Sequence, residues 1–265
     1  MGRPSRRVPP EAYDKTYLLS DNTEGFREFK EGSLSFVKRS QLDLLELRPG
    51  LRLLEVGFGR GEFLKHCALR GVEVAGIDYS RDALEIARET MAEFPEADLR
   101  VADCGKLPFG SGEFDRVYSG DVIEHQPFED GVEMLGEMLR SLRPGGLLLV
   151  HTSPNTVFTR GVLPVLKPLL RRIDAETLRS LEEHMRANAP HHVHEYNLLS
   201  LRKAARQAGL RGAEVWIGSD LLRSAQHRHT RAFSSHPLVR RVAGLGRLGA
   251  VRFFLGNDLY LRHRK

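Results

Sequence analysis

The sequence is poor in cysteine and contains no long apolar run. Its two cysteines, Cys67 and Cys104, lack Cys-x-x-Cys spacing. This excludes a disulfide scaffold and a thiolate zinc centre and indicates a reducing compartment. No stretch of eighteen apolar residues occurs, so no membrane-spanning helix is predicted. The basic residues at the N-terminus are not followed by an apolar stretch, so we expect no secretory signal and a cytoplasmic location.

Length and composition are those of a globular protein. A chain of 265 residues can bury one full α/β core, and this is favoured over two equal domains. The apolar content of 41% and the charged content of 28% are ordinary for globular proteins. The net charge of +5 is partly concentrated in residues 236–256, which hold four arginines and no acid. Such charge suits an anionic partner and equally suits a solvated surface, so it does not decide between them.

From residue 51 onward, short apolar runs alternate with helical patterns. Predicted strands cover 51–56, 72–77, 98–102, 114–119, 147–151, 213–217 and 258–262. Predicted helices cover 33–47, 62–69, 130–142 and 175–187, with two more beginning after Ser80 and Asn197 as N-caps. Strands separated by helices imply right-handed parallel crossovers. We therefore expect an α/β fold, a Rossmann-like doubly wound and mostly parallel seven-stranded sheet.

The same pattern predicts how the chain is divided. Residues 1–10 are rich in proline and arginine and are predicted to be a flexible basic tail. Residues 11–50 form a helical cap, and 51–265 form the main domain. Residues 156–192 interrupt the alternation at a point where the fold needs only a loop. Long insertions of this kind are usually lids or binding elements, so we predict a lid here.

A glycine-rich stretch follows the first predicted strand. Gly57, Gly59 and Gly61 alternate with other residues and lead into a helix. Glycines allow a sharp turn and let a ligand approach without meeting a Cβ, and the helix N-terminus offers free N–H groups. The spacing alone is a weak signal, because a tight strand-to-helix turn produces it too. Glu55 precedes the loop, and the second strand ends in Asp78, at a spacing where an acid meets ribose hydroxyls.

On these residues the chain resembles the class I S-adenosylmethionine-dependent methyltransferases, whose first motif is Glu/Asp-x-Gly-x-Gly-x-Gly. The likeness covers 51–155 well and 190–220 loosely, and it extends to the Leu107-Pro108-Phe109 and Ile123-Glu124-His125 segments. The chain is most similar to the branch of ubiquinone-pathway and natural-product small-molecule methyltransferases. DNA amino-methylating enzymes carry Asn/Asp-Pro-Pro-Tyr where this chain has Ser119-Gly120-Asp121-Val122, so nucleic-acid base methylation is disfavoured.

The resemblance implies S-adenosyl-L-methionine as cofactor. By the family pattern, the glycine loop approaches the methionine part, and Asp78 accepts the two ribose hydroxyls. Asp103, with the backbone of Cys104, would meet the adenine, although Asp103 would equally serve as the cap of a turn. The implied cofactor-binding residues are Glu55, Gly57, Gly59, Gly61, Asp78, Tyr79, Asp103, Cys104 and Gly120. In the cap, Tyr13 and Tyr17 are further candidates for the pocket.

Two histidines are candidates for a catalytic base. If the acceptor is a hydroxyl, a base with a pKa near neutral assists its deprotonation, and histidine suits that task. His194 is ranked slightly above His125, and for each a purely structural role carries equal weight. His191, His192, His194 and Glu195 also have the side chains of a divalent-metal site. Alternate residues of an extended segment point to opposite sides, so only His192 and His194 would share a face, and no metal is predicted.

The expected activity is S-adenosylmethionine-dependent methyl transfer (EC 2.1.1.-) to a small-molecule, glycan or lipid-intermediate acceptor, at a hydroxyl oxygen. The alternatives are N- or C-methylation, including tRNA, and a non-catalytic cofactor-binding partner subunit. Segments 157–172 and 236–256 alternate apolar residues with cations, which keeps open a weak peripheral membrane contact. Pro164 and Pro168 favour a lid with buried leucines over one continuous amphipathic helix. The oligomeric state is not predicted.

Overall fold

The computed structural model describes residues 7–21, 23–218 and 249–265. Its strands are β1 Arg52–Val56, β2 Glu73–Asp78, β3 Asp98–Val101, β4 Phe114–Gly120, β5 Leu142–Thr152, β6 Glu214–Ile217 and β7 Leu259–Arg264. Its α-helices are α1 Lys15–Leu18, α2 Phe26–Lys30, α3 Phe36–Leu44, α4 Glu62–Ala68, α5 Arg81–Thr90, α6 Phe128–Ser141, α7 Leu163–Ile173, α8 Ala175–Asn188, α9 Leu198–Gln207 and α10 Gly249–Leu255. Pro10–Ala12 and Ile123–His125 form 3₁₀ turns, and Val157–Val162 is π-helical.

The seven strands form one sheet in the order β3-β2-β1-β4-β5-β7-β6. β1 to β5 pair in parallel, and β7 runs antiparallel to both β5 and β6. The predicted doubly wound, mostly parallel sheet is confirmed. The strand order reverses between β1 and β4, which places a crevice beyond their carboxyl ends.

The central strands are buried because helices cover both faces of the sheet. Leu54 and Val56 of β1 face a core that includes α6 and α9, while Leu53 faces the core around α4 and α5. All three side chains are fully buried. Successive side chains of a strand point to opposite faces, so a nearly continuous apolar run fills both layers.

The N-terminal helix α3 is shorter than the predicted 33–47. Ser35 caps it, because its side chain accepts a hydrogen bond from the Lys38 N–H at 3.1 Å. Glu46 has a φ of +51°, which ends the helix before the predicted boundary. Local polar contacts, rather than the apolar periodicity, therefore set both ends.

Strand β5 begins earlier than the predicted 147. Leu142 pairs with Phe114 of β4, the register then shifts, and regular pairing resumes at Leu147 with Arg116. Helix α6 accordingly ends at Ser141 instead of Leu142. Pairing between distant segments decided this boundary.

The insertion after β5 is helical. Val157–Val162 leads directly into α7, and Pro168 lies inside that helix without ending it, contrary to the break expected from the prolines. α7 packs on α8 around a small cluster of Leu163, Leu170 and Leu178. Residues 236–248 of the predicted basic segment lie outside the described residues. No helix among the described residues has the length and apolar character needed to cross a membrane.

Candidate active site

A cavity of about 910 Å³ lies beyond the carboxyl ends of β1, β2, β4 and β5. The N-terminal residues and the α7–α8 insertion form its other walls. This volume is near the top of the range of roughly 300–1,000 Å³ typical of ligand pockets, so the cavity has room for more than one ligand. Most of the residues predicted for cofactor binding line it, namely Glu55, Gly57, Gly59, Asp78, Tyr79, Asp103, Cys104 and Gly120.

The glycines of the loop have different roles. Gly57 has a φ of +85°, and a Cβ there would lie 2.3 Å from Cγ2 of Val122. Gly59 has a φ of +52°, and a Cβ there would meet no described protein atom within 4 Å. Gly61 does not line the cavity; its missing Cβ allows close packing, since a Cβ would lie 3.1 Å from Cα of Ala87. Only Gly59 combines exposure to the cavity with open space at the Cβ position.

Asp78 holds the loop in place. Its Oδ2 accepts the Gly59 N–H at 3.0 Å, and its Oδ1 accepts the Ser80 N–H at 2.9 Å. Burial raises the pKa of this carboxyl, although the backbone N–H groups oppose the shift. Each oxygen retains acceptor capacity, so the side chain can also receive ligand hydroxyls from the cavity.

Glu55 supplies the clearest sign of a missing polar ligand. It is 5% exposed and lines the cavity, and its Oε2 has no hydrogen-bond partner among the described residues. Burial raises the pKa of this carboxyl well above its usual value. A buried polar atom without a partner is costly, so a donor such as an ammonium group would stabilise it. Together with the open space at Gly59, this makes the site fit an adenosyl amino acid.

The N-terminal segment covers the end of the cavity predicted for adenine. The Arg7 guanidinium forms ion pairs with Asp103 and Asp130. The Tyr79 hydroxyl donates to the Val8 carbonyl oxygen at 3.1 Å. Residues 7–10 of the predicted tail therefore pack over the strand ends.

A buried cation anchors the cap to the glycine loop. Arg60, between the second and third glycines, is 4% exposed. Its guanidinium donates to the carbonyl oxygens of Leu18 and Glu24, to Thr23 Oγ1 and to Glu62 Oε1, at 2.6–3.0 Å. The loop that faces the cavity and the segment that covers it are thus one connected unit.

Asp121, just after β4, forms part of a buried charged triad. His151 Nδ1 lies 3.1 Å from Asp121 Oδ1, and its Nε2 lies 3.3 Å from Asp258 Oδ1. Burial opposes the charge of the imidazole, but the two carboxylates raise the pKa of His151 well above its usual value. The triad joins the ends of β4 and β5 to the start of β7, at the edge of the cavity.

Glu124 and His125 lie together on the acceptor side of the cavity. Glu124 is 1% exposed, and its Oε2 accepts the Thr152 hydroxyl at 2.8 Å. Burial, reinforced by the Asp121 carboxylate, raises the pKa of Glu124 to about 8. The His125 Nδ1 lies 2.7 Å from the Tyr13 hydroxyl. Burial and the nearby His192 lower the pKa of His125 to about 3, which keeps the ring neutral.

The structure separates the two histidines that the sequence proposes. His125 lines the cavity, whereas His194 does not. The His194 ring packs on Phe128 and Tyr196, with centroid distances of 5.2 and 4.7 Å. A base must reach the acceptor, so a ligand in this cavity could meet His125 more directly than His194, which the sequence ranks higher. His194 is turned away because its own N–H donates to the Glu124 carbonyl oxygen.

One group of side chains in the described part of the chain could hold a metal ion. Ligand atoms of Glu124, His125 and His192 lie within 4.8 Å of one another. The pair predicted to share a face, His192 and His194, is not the pair that converges. Donor atoms about 2.1 Å from an ion can be at most about 4.2 Å apart, so an ion here would need the three ligand atoms to lie within that distance.

Apolar side chains of the insertion form the wall opposite the strand ends. They are Phe158, Leu166, Leu169, Leu170, Ile173, Leu181 and Met185. Tyr13 and Tyr17, the pocket candidates from the cap, also line the cavity. The cavity therefore combines an apolar wall from the insertion with a polar group at Glu124 and His125.

Sequence reasoning missed Glu124 as a site residue, and it did not foresee that Tyr13, a pocket candidate, would contact His125. From sequence, the Ile123-Glu124-His125 segment is named only as part of the family resemblance. Its position shortly after the end of a predicted strand is a signal that could have marked Glu124 as a cavity residue. Tyr13 hydrogen bonds to a residue 112 positions away. No local sequence pattern predicts that contact.

One family model matches the part of the chain that carries the predicted cofactor-binding residues. Residues 54–150 match the model of a family described as "Methyltransferase domain". The segment begins in β1 and ends in β5, so it contains the glycine loop, Asp78, Asp103 and Glu124.

Two methyltransferases are similar to this chain in sequence. The chain is 34% identical over 159 residues to a demethylmenaquinone methyltransferase of Staphylococcus aureus (strain MRSA252), covering 58% of this chain and 61% of the relative. It is 32% identical over 130 residues to phosphoethanolamine N-methyltransferase 3 of Arabidopsis thaliana, covering 47% and 26%. The chain thus spans less than two thirds of either relative.

Solved structures share the fold. A phosphoethanolamine N-methyltransferase 2 of Haemonchus contortus, in complex with S-adenosyl-L-methionine, aligns with a TM-score of 0.65 at 18% identity, covering 97% of this chain and 60% of that one. A geranyl diphosphate methyltransferase in complex with geranyl diphosphate and sinefungin aligns with a TM-score of 0.60 at 17% identity, covering 86% and 76%. S-adenosylmethionine is the cofactor of this family, as the sequence predicts. Residues 54–150 therefore match a methyltransferase domain, and this part of the chain is similar to class I S-adenosylmethionine-dependent methyltransferases.

Proposed function

We propose that the chain is an S-adenosylmethionine-dependent methyltransferase that methylates a hydroxyl oxygen of a small-molecule, glycan or lipid-intermediate acceptor. The observation that carries the proposal is the position of Glu124. Its buried carboxyl, with a pKa of about 8, lines the same cavity as the glycine loop and Asp78.

The cofactor side can be assigned residue by residue. Asp78 would accept the ribose hydroxyls, and Glu55 would accept the ammonium group of the methionine part. Gly59 would leave room for the backbone of the loop to approach the ligand. The bound cofactor supplies an electrophilic methyl group on a sulfonium, so the protein need not activate the donor by acid catalysis.

On the acceptor side the protein would orient the hydroxyl and take its proton. Alignment and exclusion of water are the main contributions of a protein to such a displacement. Glu124 as carboxylate is the proposed base, because its pKa lies near the working pH. His125 is neutral, and its Nδ1 is 2.7 Å from the Tyr13 hydroxyl, so it would position the acceptor with a hydrogen bond.

Methylation of an amine is the second candidate. Glu124 and Asp121 both line the cavity, and carboxylates stabilise an ammonium acceptor. A phosphoethanolamine N-methyltransferase is among the similar proteins. Glu124 would then remove the ammonium proton before transfer. Methylation of tRNA and a non-catalytic partner subunit remain the further alternatives, to be tested by the same measurements.

Two measurements test the proposal. Calorimetry should show stoichiometric binding of S-adenosylhomocysteine, weakened at least about tenfold by Asp78→Asn, which removes the charge that strengthens hydrogen bonds to ribose. Methyl transfer from labelled S-adenosylmethionine to a panel of phenols, sugars, amines and tRNA then reports the acceptor. Transfer to amines alone would overturn the oxygen assignment. Tight binding of S-adenosylhomocysteine without any turnover would favour the partner subunit, and steep salt dependence would favour tRNA.

A further inference from the structure

Helix α7 of the insertion is apolar on two opposite faces. Its inner face carries Leu163, Leu166, Leu170 and Ile173, which pack in the insertion or line the cavity. Its outer face carries Pro164, Val165, Pro168 and Leu169, all exposed. The spacing i, i+1, i+4, i+5 places these four residues on one side of a helix. Polar residues are expected on the solvent-facing side of a surface helix, whereas the outer side of α7 exposes these apolar residues next to Arg171 and Arg172.

A second exposed apolar group lies beside it. Val165 is 76% exposed and Leu169 is 50% exposed, while Phe253 and Phe254 of α10 are 40% and 52% exposed. α10 contacts the Val157–Val162 segment, and that segment leads directly into α7, so both groups lie on helices that flank the same part of the insertion. We call these four residues the lid patch. Leu169 also lines the cavity, so the patch reaches the cavity mouth.

The charge around the lid patch has one sign. Residues 157–173 carry four cations and no acid, and residues 249–255 carry Arg252 and no acid. Lys167 pairs with Glu182 of α8 and the exposed Arg160 pairs with Glu195, while Arg171 and Arg172 are exposed.

The adjacent helix α8 provides an internal comparison. Its exposed charged residues are of both signs, namely Glu176, Arg179, Glu183 and Arg186. That mixture is typical of a solvated surface. The combination of exposed apolar side chains and cations alone is therefore particular to α7 and α10, not general to the insertion.

We propose that the lid patch docks peripherally on an anionic lipid bilayer. Apolar side chains would enter the boundary between headgroups and acyl chains, and the surrounding arginines would meet lipid phosphates. A second copy of the chain fits this surface less well. A two-fold contact sets the same face of both copies against each other, and here it would oppose arginine to arginine.

Co-sedimentation with lipid vesicles tests the proposal without requiring turnover. The full chain is mixed at low salt with vesicles of phosphatidylcholine and phosphatidylglycerol in equal parts, and with phosphatidylcholine alone. The test variant is Val165→Glu/Phe254→Glu, and neither residue lines the cavity. The control is Leu69→Glu/Leu199→Glu, whose residues are 57% and 73% exposed; Leu69 follows α4 and Leu199 lies in α9, both outside the lid patch. Circular dichroism and S-adenosylhomocysteine titration verify that both variants fold.

The wild type and the control should sediment with the anionic vesicles, less so at high salt, and the bound fraction of the test variant should fall roughly tenfold or more. A wild type that stays in the supernatant overturns the proposal. Equal sedimentation of all three proteins overturns the assignment to the lid patch. Light scattering that shows a wild-type dimer and a monomeric test variant, with no vesicle binding by either, would assign the patch to contact between copies instead.

Discussion

The two glycines Gly57 and Gly59 provide a test that separates folding from cofactor binding within one loop. Alanine at Gly57 would place a Cβ 2.3 Å from Val122 Cγ2, on a backbone with φ of +85°. The left-handed backbone costs about 1–2 kcal/mol and the overpacking about 1–3 kcal/mol, so the free energy of unfolding should fall by about 2–5 kcal/mol. Alanine at Gly59 carries only the backbone cost, about 1–2 kcal/mol, because no described atom lies near the new Cβ.

Binding should respond in the opposite order. The Cβ of Gly59→Ala would stand in the cavity where the cofactor approaches, so the Kd for S-adenosylhomocysteine should rise at least about tenfold, or about 1.4 kcal/mol. Urea denaturation and calorimetry measure the two quantities. In the Gly57→Ala background, Val122→Ala should recover stability with a coupling energy of at least about 1 kcal/mol. Unchanged binding by Gly59→Ala, or an equal loss of stability in both single variants, would refute the reasoning.

Three further predictions concern buried charges. Glu124→Gln should lower kcat/KM by about 10²–10⁴-fold; in the wild type, kcat/KM should rise with pH to a plateau above about 8, because the carboxylate is the active form. Arg60→Met should lower the free energy of unfolding by about 3–5 kcal/mol, since it leaves a buried network without its cation. The pKa of His151 is raised in the folded state, so its contribution to stability is complete below the unfolded pKa of about 6.5 and is lost as the pH rises toward the folded pKa. The difference in unfolding free energy between the wild type and His151→Gln should therefore shrink by about 1.4 kcal/mol per pH unit above 6.5.

Each of these has a matched control. Glu129→Gln changes an exposed carboxyl of the following helix and should leave the pH profile intact. Arg27→Met removes an exposed ion pair with Glu31 and should cost less than about 1 kcal/mol. A pH profile of Glu124→Gln identical to the wild type, or equal losses for Arg60→Met and Arg27→Met, would contradict the assigned roles. If the difference in unfolding free energy between the wild type and His151→Gln did not change with pH, His151 would not be charged in the folded state. Unchanged turnover after addition of a chelator would rule out a metal ion at Glu124, His125 and His192 as a requirement for activity.

Much of the fold was predictable because local sequence patterns determine it. Apolar runs bounded by glycine and proline located the strands, and the helices between them required parallel crossovers. The cofactor side was predictable for a related reason. In a parallel sheet, residues that end neighbouring strands meet at one edge, so Asp78 and Asp103 converge without any knowledge of side-chain packing.

The acceptor side depended on contacts between distant segments. The N–H groups of Val193 and His194 donate to the Glu124 carbonyl oxygen, and this pairing brings His192 into the cavity and turns the His194 ring out of it. The sequence placed His125 just after a predicted strand and His194 just before a predicted helix, and the family resemblance favoured His194. The sequence had no means of showing which side chain would face the cavity.

By itself the sequence determined the α/β sheet, the glycine loop and the acid that ends β2. These depend on backbone freedom and hydrophobic periodicity, which act over a few residues. Only the tertiary structure decided that Gly61 serves packing, that Arg60 ties the cap to the loop, and that Glu124 is buried beside Asp121. Burial and charge at such a site are sums over segments far apart in the chain, and a pKa near 8 for a glutamate exists only once those segments have come together.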